Sequence, residues 1–263
     1  MASNKHRIIE ERIGMKSGII NKVTVPVNII ESPGNNFLAG INRVFPWVNS
    51  IMLRLPSSWR DKVMNEVVHI NERIVEHPWV FANLGIREGR VLDVGCCWSS
   101  LSIELACLGY EVWGIDISLY GLKHPNFKFV REDICETSLP KEYFDRVLAV
   151  STIEHLGLGH FGDPKGTSRD KMAMDRIHIL LKPGGKLLLT VPFGRSKELS
   201  WFRVYDSESL HKLVCAFEVE SKEFYVLKKD GWTRTTEQSA SLQEVDEKNQ
   251  PTGVALILGS KIV

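Results

Sequence analysis

The sequence predicts an α/β fold, a mostly parallel seven-stranded sheet with helices on both faces, and three observations lead there. From Arg90 onward, short apolar runs alternate with helix-like stretches, as buried parallel strands and their crossovers do. A turn with one glycine, Gly95, separates the first run from the first of those helices, and an acid, Asp116, closes the second run. Lys182-Pro183-Gly184-Gly185 stops a helix and turns the chain into the fifth run.

In chain order, residues 1–40 are polar and irregular, with Ser32-Pro33-Gly34-Asn35-Asn36 as a loop signal. Trp47, Ile51, Met52 and Leu55 are spaced as the apolar stripe of a helix that Pro56 ends. A second helix is expected over 59–77, leading into Pro78-Trp79-Val80-Phe81. The strands expected next are Arg90–Val94, Glu111–Ile115, Phe127–Val130, Arg146–Val150 and Lys186–Val191, with helices at Ser100–Leu108 and Asp170–Leu181. After Asp206 a short helix leads to two last strands, Glu218–Leu227 and Gly253–Gly259. Lys228–Thr252, charged and polar between them, reads as a flexible connection. The expected division is a helical extension or cap at 1–85 and a main domain at 86–263.

The totals exclude several classes. A formal net charge of +1 gives no electrostatic case for a nucleic-acid binder. The five cysteines are odd in number, three lie in segments that read as buried, and Cys96-Cys97 are adjacent with no second cluster to complete a zinc site. They are expected to be reduced thiols. The N-terminus is mixed in charge, unlike a secretory leader, and no apolar run approaches the ~18 residues of a membrane span. The expected location is the cytoplasm.

A strand, a glycine turn, a helix, a second strand and then an acid are the parts of a nucleoside site. The turn lets backbone N–H groups approach the ligand, and the acid accepts hydrogen bonds from ribose hydroxyls. Here the turn is Gly95-Cys96-Cys97-Trp98-Ser99, without the repeated glycines of a dinucleotide site. Asp93, inside the strand before it, would repel a pyrophosphate and suits the ammonium and sulfonium charges of S-adenosylmethionine.

Residues 88–193 resemble the class I S-adenosylmethionine-dependent methyltransferases, whose fold is Rossmann-like with an antiparallel last strand. Val91-Leu92-Asp93-Val94-Gly95 is similar to their first motif and Gly114-Ile115-Asp116 to the ribose-binding acid. Glu132-Asp133-Ile134 resembles the segment that reads the adenine amino group. Phe144-Asp145-Arg146-Val147, Ile153-Glu154-His155-Leu156 and Leu181-Lys182-Pro183-Gly184-Gly185-Lys186 follow in the family's order. The cofactor-binding set this implies is Asp93, Gly95, Cys97, Asp116, Ile117, Asp133, Ile134 and Ser151. One departure is the family's Gly-x-Gly-x-Gly, which has Cys97 and Ser99 at its second and third glycines; a positive φ at Cys97 would be strained. Glu154-His155-Leu156-Gly157-Leu158-Gly159 and Arg203-Val204-Tyr205 resemble a bacterial and archaeal group, some of whose members are linked to saccharide chemistry.

Methyl transfer aligns a nucleophile with a sulfonium methyl and, for a hydroxyl acceptor, needs a base. Glu154, His155, His160 and Asp163 cluster after the fourth strand, with His155 the first candidate base and a structural histidine the alternative. Glu154 is the second catalytic candidate, or instead touches the cofactor or anchors the loop. His160, Arg203 and Tyr205 are candidates for the acceptor site, though Tyr205 also stands where it can fix a helix start. No metal is expected: some ubiquinone-pathway O-methyltransferases, which this loop resembles, bind magnesium through Glu-x-x-Glu-His, and Ser151 stands at the position of the first Glu. The acceptor expected is a small molecule or glycan hydroxyl or amine. A protein or RNA acceptor, and a non-catalytic binding protein, are the alternatives.

Overall fold

The computed structural model describes residues 71–85, 88–97 and 99–262. The helix expected at 45–55 and the start of the one at 59–77 lie outside them. The first described element is helix α1 (Arg73–Asn83), which runs on through Pro78. Burial of Val75, Glu76, Trp79 and Val80 along one face holds it across the proline.

The remaining elements are β1 (Arg90–Val94), α2 (Leu101–Cys107), β2 (Glu111–Ile115), β3 (Phe127–Val130), β4 (Phe144–Val150), a 3-10 turn (Ile153–His155), α3 (Arg169–Leu180) and β5 (Leu181–Pro192). A small hairpin, β6 (Lys197–Glu198) and β7 (Arg203–Val204), precedes α4 (Ser207–Leu213), β8 (Phe217–Lys228), β9 (Gly231–Thr235), α5 (Glu237–Ala240) and β10 (Gly253–Lys261).

The main sheet has the order β3-β2-β1-β4-β5-β10-β8-β9. Strands β1 to β5 pair in parallel, and β10 runs antiparallel between β5 and β8. The sheet therefore has eight strands, not seven. The addition is β9, which pairs antiparallel with β8 inside the stretch read as a flexible connection. Its Trp232 is 1% exposed, and burying that one ring orders an otherwise polar segment.

Period-two alternation sends neighbouring residues to opposite faces. Leu92, Val94, Val147 and Ala149 meet α3 and α4 on one side; Val91, Leu148 and Val150 meet α1 and α2 on the other. Helices thus cover both faces, and α1, within the expected extension, supplies part of the second layer. Among the described residues, no helix is long and apolar enough to cross a membrane.

Candidate functional site

Chain connections leave β1 toward β2 on one side and pass to β4 on the other, so the strand order reverses between β1 and β4. Ligands of open α/β sheets bind in the crevice at the carboxyl ends of strands there. A cavity opens at that place. Gly95, Cys97, Asp116, Ile117, Asp133, Ile134, Ser151 and His155 all line it. Eight of the thirteen candidate residues from the sequence are thereby brought together.

The turn after β1 is built around Gly95, at φ +71°, where a Cβ would stand 2.3 Å from the Thr152 side chain. Cys97 is not among the described non-glycine residues with positive φ, so the strain feared there is absent. Its N–H donates to Asp116 Oδ2 at 3.0 Å, and the Ser118 N–H donates to Oδ1 at 2.8 Å. Asp116 is thus aimed by two backbone donors, with lone pairs left over for a ligand. Asp133 takes the Cys135 N–H at 2.9 Å and an ion pair from Arg169. Ile115, Ile117 and Ile134 supply apolar wall beside the two acids.

Asp93 stands behind the wall. It shares the face of Val91, so it meets α2, where Ser102 Oγ donates to it at 2.5 Å. Burial pushes its carboxyl up to about 6.

Two contributors come from α1 and were not expected. Arg73 lines the cavity and donates to the Val150 carbonyl at 3.1 Å. Glu76, wholly buried, accepts from Ser151 Oγ and Thr190 Oγ1, each at 2.6 Å, tying α1 to the ends of β4 and β5. The signal was present: Glu76 occupies the i position of the stripe it forms with Trp79 and Val80, and an acid in an apolar stripe needs partners. Ser151 makes its bond from φ +43°, a left-handed conformation unusual for serine.

His155 Nδ1 lies 2.5 Å from the Trp201 carbonyl, and a carbonyl only accepts, so Nδ1 carries the proton. Nε2 is then left as a proton acceptor. Burial pulls the imidazole down to about 4, keeping it neutral. Trp201 also stacks on the ring, at 5.6 Å and 17°, and Phe161 meets its edge at 5.0 Å. Glu154 is buried behind it, with Oε1 3.7 Å from Nε2, and burial holds its carboxyl well above the usual range.

The other loop candidates are occupied by the fold. Asp163 accepts the Gly157 and Gly159 N–H groups at 2.6 and 3.3 Å, closing the loop after the 3-10 turn. Arg203 donates to the Leu156 carbonyl at 2.6 Å and to Glu198 at 2.8 Å. The Tyr205 hydroxyl donates to Asp170 at 3.0 Å, next to Asp206, which caps α4. His160 is exposed, against Phe161. None of Arg203, Tyr205 and His160 lines the cavity.

With this geometry in place, a family model described as a methyltransferase domain matches residues 92–189. Those residues, less than half of the chain, are similar to that domain. The ubiquinone biosynthesis O-methyltransferase of Xanthomonas oryzae pv. oryzae (strain PXO99A) is 34% identical over 126 residues, covering 44% of this chain and 48% of the relative. The chain thus matches about half the length of its curated relatives. Among solved structures, the 1,6-didemethyltoxoflavin-N1-methyltransferase of Burkholderia thailandensis is 15% identical with a TM-score of 0.51, over 93% of this chain and 97% of that one. The cyclase SpnF is 17% identical with a TM-score of 0.54, over 89% and 98%. These two show a shared fold.

Proposed function

We propose that the chain is an S-adenosylmethionine-dependent methyltransferase that methylates a hydroxyl or amine of a small molecule or glycan in the cytoplasm. One observation carries this reading: the Gly95 turn, the Asp116 and Asp133 acids and a neutral, oriented His155 share one cavity. The residues fit the cofactor: Asp116 for the ribose hydroxyls, Asp133 and Ile134 for the adenine, and the Gly95 turn for the remainder. Arg73 on the same wall is a cation suited to a carboxylate. When bound, the cofactor supplies a methyl group on a sulfonium.

The chain's own part is to place the acceptor and take its proton. His155 Nε2 is the proton acceptor: Trp201 holds the ring in the tautomer that leaves Nε2 unprotonated, with Glu154 Oε1 3.7 Å from it. Phe161, beside it on the cavity wall, helps to exclude water. The O-methyltransferase among the relatives favours a hydroxyl acceptor. A second reading is non-methylating chemistry on this fold, which the likeness to a cyclase keeps in view.

Equilibrium titration with S-adenosylhomocysteine, followed by tritium transfer from labelled S-adenosylmethionine into fractionated lysate, separates the two. Saturable binding and label in a small-molecule or polysaccharide fraction are the expected results. Absence of binding up to millimolar ligand would overturn the proposal, and binding with no label in any fraction would favour the second reading.

A further inference from the structure

The adjacent cysteines after β1 have a property that their spacing along the chain does not reveal. Among the described residues, ligand atoms of Cys96, Cys97 and Asp116 all lie within 4.8 Å of one another. We infer that these three residues form a binding site for a thiophilic divalent cation of the Zn2+ class. The third ligand comes from the end of β2, which is why no cluster was visible in the sequence.

The dimensions suit the ion. Zinc takes sulfur at about 2.3 Å and carboxylate oxygen at about 2.0–2.2 Å in a tetrahedron, so its ligands stand roughly 3.5–3.8 Å apart. Asp116 is already held by the Cys97 and Ser118 N–H groups, the kind of outer support that metal-ligating carboxylates have. Room for the Cys96 sulfur comes from Gly114, where a Cβ would stand 2.7 Å from it. Cys97 and Asp116 line the cavity, which is the entry path, and a water from it completes the tetrahedron.

The binding step balances simply. One divalent ion joins two thiols and one carboxylate, two protons leave to solvent, and no electron moves. Asp116 is also the acid assigned to the ribose, so on the proposed function the ion and the nucleoside exclude each other at this turn. That makes the site an inhibitory one.

Co2+ is the probe, titrated into the full reduced chain and followed by absorption. One equivalent should give thiolate-to-cobalt charge-transfer bands and tetrahedral d–d bands, release two protons, and be displaced by Zn2+. Cys96→Ala and Cys97→Ala, each checked for native circular dichroism, should each lose the charge-transfer intensity of a two-thiolate site. Asp116→Asn should weaken binding tenfold or more, and Cys135→Ala should leave it unchanged. No saturable bands in the wild type, or full bands in a folded Cys96→Ala or Cys97→Ala protein, would overturn the inference. Neither readout needs methyl transfer, so the metal site stands or falls apart from the enzymatic reading. Bands unaffected by bound S-adenosylhomocysteine would overturn the exclusion alone.

Discussion

On the proposed function His155 is the base, and one backbone contact sets which of its nitrogens could serve. Donation from Nδ1 to the Trp201 carbonyl fixes the tautomer, and burial keeps the ring neutral down to about pH 4. A base must be neutral to act, so turnover should hold steady from neutral pH through the ordinary histidine range and fall only as pH nears 4. A pH profile of kcat checks this, and an acid limb near 6.5 would remove His155 from the role. Substituting His155→Gln should lower kcat by about 10²–10⁴-fold. Affinity for S-adenosylhomocysteine, measured by calorimetry, should change far less, because Gly95, Asp116 and Asp133 are untouched.

At the scale of elements, β9 pairs with β8 and buries one large side chain. Trp232 is buried beside Tyr225, Val254 and Leu256 in the layer that also takes Val75 and Trp79 of α1. Trp232→Ala should destabilise the chain by about 3–5 kcal/mol, read as a lowered urea midpoint. Cofactor affinity should stay near wild type, since the cavity lies at other strand ends. Strands β1 to β5 were legible in the sequence because strands buried on both faces read as continuous apolar runs. The helix start at Asp206 was legible too, because its capping chemistry is local. Strand β9 was not, since its reason for existing is a surface supplied from far away in the chain. The same holds in the site: Gly95, Asp116 and Asp133 follow a local pattern, whereas Glu76 meets Ser151 and Thr190 across long stretches of sequence.

In the molecule as a whole, buried acids and buried imidazoles pull stability in opposite directions with pH. Asp93 is raised to about 6, and Glu72 to about 7, both mainly by burial. An acid with a raised folded pKa contributes stability at low pH that is lost as pH rises through the folded value. His155 is lowered to about 4, so the unfolded chain binds its proton first and stability is lost as pH falls from 6.5 toward 4. Asp93 and His155 each reach about 3 kcal/mol at the limit, with opposite sign over pH 4–6. Urea unfolding across that range should therefore separate the single variants. Relative to wild type, Asp93→Asn should gain stability as pH rises, and His155→Gln should lose it. Parallel curves for all three proteins would contradict the assignment. Thr152 gives the molecule one more property: its hydroxyl lies 3.1 Å from both the Val94 and Val150 carbonyls, at the ends of adjacent strands β1 and β4. A hydroxyl shared between two strand ends acts as a clasp, so the slot between them is cut to width before any ligand arrives, and a ligand entering it meets a wall that is already set.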